Sequence, residues 1–362
     1  MAAELRITDL EKLVAELPSE EKALFQRVYA VAAAVAELRI PPGMEQWAMK
    51  QFGSLEAIAR QRIVRVTNLI TGEEVLFNEL RASRPFAIKN RESLEVELAK
   101  AMENDVFRSL ESSTPEDSFG RIAGKHCVTA SNVAKNDWLH GVVIFNDFNP
   151  LLFTREKVID YIDIGWEWAR RAHQLNPEAK YFLLFWNCLW RAGASLVHGH
   201  AQIMLASQRH YARVENLRRV TLDYRQKYGS NYFNGLFQIH QALGCATVKN
   251  GVKILTCLTP FKYNEIILMT EELGLPIKEK AYEVLAFLRD KLGVTCFNFG
   301  LMTPPLSATE ESWEGFPVMA RIIDRGDPEN RVSDVGSIDI FGANLVIYDP
   351  FRLARRLWEY LG

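Results

Sequence analysis

The stretch Phe185-Trp186-Asn187-Cys188-Leu189-Trp190-Arg191-Ala192-Gly193-Ala194-Ser195-Leu196-Val197-His198-Gly199-His200-Ala201-Gln202 runs from an aromatic-aliphatic segment through a glycine-containing loop into alternating polar and small residues. Alternate side chains of a β-strand share a face. A strand over residues 196–205 therefore projects His198, His200 and Gln202 together, while Gly199 and Ala201 put almost nothing on the other side. A neutral imidazole nitrogen attacks phosphorus well when its other nitrogen donates a proton to a fixed acceptor. Gln202 can donate to a phosphate oxygen but cannot serve as a general acid. Two other readings stay open on spacing alone: a pair of metal ligands at i and i+2, and two satisfied core histidines.

Working outward, Tyr181 to Trp186 reads as a buried strand, and Gly141 to Phe145 as another. Between them Thr154 caps a helix that runs to about Leu175, with Val158, Ile162, Trp166 and Ala169 on one face, and Asn176-Pro177 ends it. The order recurs downstream. Val252 to Leu258 and Glu265 to Met269 read as strands, Ile277 to Leu292 as a helix, and Thr295 to Met302 and Phe316 to Ile323 as strands. Strand, helix, strand, loop, strand thus occurs twice, with Phe185-Trp186-Asn187 set against Phe297-Asn298. No short-period repeat is present. Upstream, Ile63 to Thr67 and Glu74 to Phe77 flank a Thr71-Gly72 turn as a hairpin. Apolar residues at helical spacing from residue 9 to about 36 make the first segment a helical extension that carries no recognisable chemistry.

The 362 residues are 48% apolar, enough for a sizeable core. Lys plus Arg number 43 against 45 Asp plus Glu, a balance that argues against a general nucleic-acid or membrane-surface binder. Cys127, Cys188, Cys245, Cys257 and Cys296 are scattered with no CxxC pair, which speaks against a disulfide framework or a four-cysteine zinc site and suits a reducing compartment. Residues 1–6 show no secretory pattern, and no apolar run is long enough to span a bilayer, so a cytoplasmic location is expected.

The segment from Phe185 to Gln202 resembles the active-site segment of galactose-1-phosphate uridylyltransferase, a family of the histidine-triad (HIT) superfamily. Asn187, Gly193, Ser195, His198, His200 and Gln202 fall at that family's spacing. A second match lies in Thr67-Asn68-Leu69-Ile70-Thr71-Gly72 and Arg81-Ala82-Ser83-Arg84-Pro85, which resemble the family's opening hairpin and its Arg-x-x-Arg-Pro segment. The resemblance covers residues 63 to 205 clearly and the rest by architecture.

It implies an α+β protein of two HIT-like halves, each an antiparallel sheet with packed helices, plus the N-terminal helical extension. The expected divisions are 1–62, 63–210 and 211–362. His200 is implied as nucleophile and His198 as the preceding triad histidine. Gln202 stands at the third triad place, which favours transfer or phosphorolysis over hydrolysis. Ser195, Asn187 and Gly193 are implied around the phosphate and its loop, and Arg81 and Arg84 at a nucleotide diphosphate, a task that suits a guanidinium. Asn132 is implied at the nucleoside. The implied partners are a nucleotide sugar or dinucleoside polyphosphate and a phosphate or sugar-phosphate acceptor, with no cofactor. A homodimer is left open. A hexose-1-phosphate uridylyltransferase, an ADP-sugar phosphorylase and a diadenosine polyphosphate phosphorylase all fit; outside that class stand a silent nucleotide-binding protein and a metal-dependent hydrolase.

The sequence departs from the family in two places. Many members hold a structural zinc through a CxxC, a distant histidine and the first triad histidine. Here the matching regions read Asn104-Asp105-Val106-Phe107 and Asn149, so no zinc is expected. The second half also lacks a histidine pair. Its Arg321 and Arg325 read either as phosphate contacts or as solvated surface charges.

Overall fold

The computed structural model describes residues 5–83, 92–330 and 332–362. Among these residues thirteen strands form two sheets. They are β1 (Tyr29–Glu37), β2 (Arg60–Asn68), β3 (Glu74–Phe77), β4 (Cys127–Ser131), β5 (Leu139–Phe145), β6 (Ala179–Cys188), β7 (His200–Ser207), β8 (Ala246–Lys249), β9 (Val252–Thr256), β10 (Tyr263–Thr270), β11 (Phe297–Met302), β12 (Val318–Asp324) and β13 (Ala343–Val346). A small sheet has the order β1-β2-β3-β13, with β13 parallel to β3. The large sheet has the order β4-β5-β7-β6-β11-β12-β10-β9-β8 and is antiparallel throughout.

The α+β architecture with two halves is present. Read from its middle, the large sheet runs β6, β7, β5, β4 one way and β11, β12, β10, β9 the other. Helix Arg155–Leu175 links β5 to β6, and helix Leu275–Leu292 links β10 to β11 in the same manner. The two halves join edge to edge through β6 and β11, with Asn187 paired to Asn298. Both helices cover one face of the sheet. Val143, Leu184, Trp186, Ala201, Ile203, Phe299, Leu301, Ala320 and Ile322 point into the main core there. Thr154 accepts a hydrogen bond from the Lys157 N–H at the start of the first helix. Gly165 lets that helix lie close on the sheet, since a Cβ there would come within 2.7 Å of Leu184 Cδ1.

A second core covers part of the opposite face. It packs Leu255, Ile267, Met269, Met302 and Met319 beneath helices Ala212–Tyr228 and Tyr232–Ala242, the small sheet and the N-terminal helices. At the far end of that face, Phe107 and Leu110 pack on Ala130, Val142 and Ile144. The strip between these covers carries Gln202, Phe185, Gly300 and Arg321 in register.

The N-terminal helical region precedes the first strand but ends at Val28, short of the helical reading to about residue 36. Tyr29–Glu37 instead pairs along its whole length with β2. Alanine-rich sequence favours helix locally, but the unpaired N–H and C=O groups of β2 are satisfied by a strand. β7 begins at His200, and residues 196–199 form a loop where a strand was expected.

Candidate active site

Gly199 shapes the approach to β7. A Cβ on it would come within 2.6 Å of Phe145 and 3.1 Å of the Asp147 carbonyl, so only glycine lets this backbone lie so close. Its N–H donates to the Phe148 carbonyl at 2.9 Å, and its carbonyl accepts from the Phe145 N–H at 2.9 Å. This short, irregular pairing holds the two histidines beside the end of β5.

His198 and His200 are both buried. Nδ1 of His200 lies 2.7 Å from the His198 carbonyl. A carbonyl only accepts, so Nδ1 carries the proton and Nε2 carries the lone pair. Burial holds the His200 pKa below the ordinary histidine value, helped by the neighbouring His198 and opposed by that backbone bond. The ring is thus neutral at pH 7 in the tautomer a nucleophile needs. The Phe107 ring stands edge-on to both imidazoles, with centroids 5.4 Å from His198 and 5.8 Å from His200.

Both ring nitrogens of His198 face acceptors: Nδ1 lies 3.0 Å from Asp105 Oδ2, and Nε2 lies 2.8 Å from the Phe145 carbonyl. Both nitrogens are turned toward protein oxygens rather than toward a shared metal position. Asn149, at the family's distant-histidine place, accepts from the Leu151 N–H at 3.0 Å. Among the described residues no three His, Cys, Asp or Glu side chains gather as a metal set. The residues present do not fit the family's zinc.

Gln202 has a partner that the sequence did not suggest. The Asn136 N–H donates to His140 Nδ1 at 3.0 Å, so the His140 proton resides on Nε2. That nitrogen lies 2.8 Å from Gln202 Oε1. With its oxygen occupied, Gln202 turns its NH2 group outward as a donor. Asn132 lies beside the pair: its Oδ1 accepts from the Ala134 N–H, which leaves Nδ2 facing His140 Nε2 at 3.2 Å. Two donors cannot bond each other, so the shorter His140–Gln202 contact is the bond. Burial lowers the His140 pKa and keeps the ring neutral.

Asn187 accepts from Asn298 Nδ2 at 2.7 Å, and Asn298 Nδ2 also reaches the Ala192 carbonyl at 2.8 Å. Gly193 follows in the left-handed region at φ 96°, ending the short turn Trp190–Ala192. Gly193 and Ser195 are exposed on this loop. The structure thus gathers Asn187, Gly193, Ser195, His198, His200, Gln202 and Asn132 around one end of β6 and β7. Arg81 is placed only through Tyr263, where it and Arg191 of this loop both oppose the rise that burial imposes on the phenol. Arg84 lies outside the described residues.

Arg321 and Arg325 are neither solvated nor free. Arg321 pairs with Glu265 at 2.5 Å and Glu73 at 2.9 Å, and its Nη2 is buried with no partner. Arg325 pairs with Asp334 at 2.7 Å and donates to Asn298 Oδ1 at 2.6 Å. No helix among the described residues is long and apolar enough to cross a membrane.

With this geometry in place, solved structures of known proteins decide the fold. Over 81% of this chain and 97% of the other, it superposes on an ADP-glucose phosphorylase from Arabidopsis thaliana with bound ADP-glucose, at TM-score 0.60 and 16% identity. The fold is that of the uridylyltransferase-like proteins. A galt-like protein from Arabidopsis thaliana matches at TM-score 0.58 and 15% identity, over 81% of this chain and 97% of that one. A uridylyltransferase matches at TM-score 0.55 and 15% identity, over 83% and 98%. No protein-family model matches the chain, and no curated protein matches it.

Proposed function

We propose that this chain is a nucleotidyltransferase that moves a nucleoside monophosphate from a nucleotide sugar or dinucleoside polyphosphate to a phosphate or sugar-phosphate acceptor, by way of His200. The observation that carries the reading is the 2.7 Å bond from His200 Nδ1 to the His198 carbonyl, which leaves Nε2 as a neutral nucleophile in a uridylyltransferase-like fold. In the first step Nε2 attacks the α-phosphorus. The N–P bond forms, the bridging P–O bond breaks, and the leaving phosphate departs with the electron pair. In the second step an acceptor phosphate oxygen attacks the same phosphorus and the N–P bond breaks. The proton stays on Nδ1, donated to the His198 carbonyl, throughout.

Gln202, its amide oxygen held by His140, donates to the phosphoryl oxygens as their charge builds. Ser195 and the exposed backbone around Gly193 are assigned to the same phosphate. Asn298, paired with Asn187, holds their loop through the Ala192 carbonyl, and Asn187 is assigned to the loop and Asn132 to the nucleoside. The rest of the donor is placed over Gly300, where an added Cβ would meet nothing within 4 Å. Beyond it on the same face a cavity of about 370 Å³ opens over Met302, Met319, Ile267 and Tyr232. Arg81 and Arg84 remain assigned to phosphate by their motif alone.

The likeness to an ADP-glucose phosphorylase favours a second form of the reading, with AMP as the transferred group and inorganic phosphate as acceptor. Steady-state assays with UDP-sugars, ADP-sugars and diadenosine tetraphosphate, each with sugar phosphate or inorganic phosphate, separate the two. His200→Ala abolishes transfer and keeps the cooperative unfolding of the parent; near-normal turnover by this variant ends the proposal.

A further inference from the structure

Where the family's zinc is bound, the first triad histidine is one of its ligands, and among the described residues no donor set for it gathers here. We infer that Asp105 does that work: it is a positioning residue that sets His198, and through the His198 carbonyl fixes the tautomer and aim of His200. The inference rests on the functional reading above only for its kinetic consequence. Asp105 and His198 face each other at 3.0 Å with side chains 8% and 9% exposed, so the contact is shielded from water. A carboxylate–imidazole bond in such a place is much stronger than one at the surface. The other oxygen of Asp105 accepts from the Phe107 N–H at 3.0 Å. One carboxylate thus anchors both the His198 ring and the start of the segment whose Phe107 ring abuts both histidines.

The chain of contacts continues without a gap. Nε2 of His198 lies 2.8 Å from the Phe145 carbonyl, so the ring is clamped from two sides and its orientation is fixed. Its own carbonyl is the acceptor that places the His200 proton on Nδ1. Removing the carboxylate releases one side of the clamp and leaves the His198 carbonyl set only by the pairing of Gly199. Carboxylates behind a metal-ligating histidine usually matter by one to two orders of magnitude in activity, and the same order is expected for Asp105 in this metal-free arrangement.

The test compares wild type, Asp105→Ala and Asp105→Asn, the last keeping an acceptor oxygen at the same place. Two readouts are taken: the single-turnover rate of nucleotide transfer to His200, and the ¹⁵N imidazole spectrum of free protein. Asp105→Ala should slow the single-turnover rate by about 10–100-fold, with little change in the donor concentration at half-saturation. Asp105→Asn should recover much of the loss. In the spectrum, wild-type His200 should hold one tautomer protonated at Nδ1, and Asp105→Ala should show tautomer exchange. An unchanged rate with an unchanged His200 spectrum in Asp105→Ala overturns the inference. So does stoichiometric zinc in wild type that is lost in Asp105→Ala, which would make Asp105 a metal ligand. If wild type itself takes no nucleotide, the functional reading fails and the spectrum alone decides the role of Asp105. If Asp105→Ala does not fold, the same comparison is read from Asp105→Asn, which must then shift the His200 spectrum measurably.

Discussion

The side-chain nitrogen of Asn298 donates to the side-chain oxygen of Asn187 at 2.7 Å, on the strand pair that joins the two halves of the large sheet. The orientation of Asn298 is set from its other side, because its oxygen accepts from Arg325. The half without the histidine pair therefore holds the loop of the half that has it. Asn298→Ala removes the bonds to Asn187 and to the Ala192 carbonyl together. The variant should lose about 1–3 kcal/mol in urea unfolding, and its transfer rate should fall more than its donor affinity. A variant with parental stability and rate would show that the second half only pads the first.

His140 acts on Gln202 in a comparable way. Its Nε2–H occupies the amide oxygen, which leaves only the NH2 group for substrate. His140→Ala lets the amide rotate and should lower the rate of phosphoryl transfer by about 10-fold or more. His140→Gln, which can still donate to Gln202, should retain more activity. Equal losses in both variants would argue that His140 serves packing alone.

Two glycines give a paired expectation. Gly199 has no room for a methyl group, with Phe145 only 2.6 Å from the Cβ position, so Gly199→Ala should destabilise by about 1–3 kcal/mol. Gly300 has open space, so Gly300→Ala should shift stability by no more than about 0.5 kcal/mol. Gly300→Trp should fold yet bind donor poorly, because it fills the proposed path. Normal donor binding by a folded Gly300→Trp would move that path elsewhere.

Acid should act through histidines before it acts through carboxylates. Burial pushes His210 and His240 down to about 4, and His140 and His200 are also lowered. In each case the unfolded chain, near 6.5, binds the proton more readily. The sign follows: this stability is fully present above about pH 6.5 and is lost as pH falls through the folded values. His210 and His240 should each account for roughly 3 kcal/mol by pH 4. Glu215 is held at about 2, chiefly by its hydrogen bond to Arg218, and adds its own loss only in stronger acid. A urea midpoint that stays level from pH 7 to 4.5 would contradict this. The transfer rate should likewise be flat from pH 7 to 9, since His200 is already neutral there.

Parts of the fold were legible because their signals are local. The turn at Thr71-Gly72 and Thr154 at the start of its helix are each set by residues a few positions apart, whereas the strand expected through His198 and Gly199 is a loop. What escaped depends on distant pairing. Asp105 meets His198 across 93 positions and His140 meets Gln202 across 62, and neither spacing leaves a mark in the sequence. β1 was hidden by its alanines, which read as helix until β2 lies beside them. Arg321 looked like a surface charge because Glu73 and Glu265, its partners, lie far away in sequence.

The most direct test of the central claim is intact-protein mass spectrometry after brief incubation with UDP-sugars, ADP-sugars and diadenosine tetraphosphate. Wild type should gain the mass of UMP or AMP, the adduct should map to His200, and His200→Ala should gain nothing. An adduct that persists in His200→Ala, or turnover with no adduct at any time, would contradict a histidine-borne nucleotide.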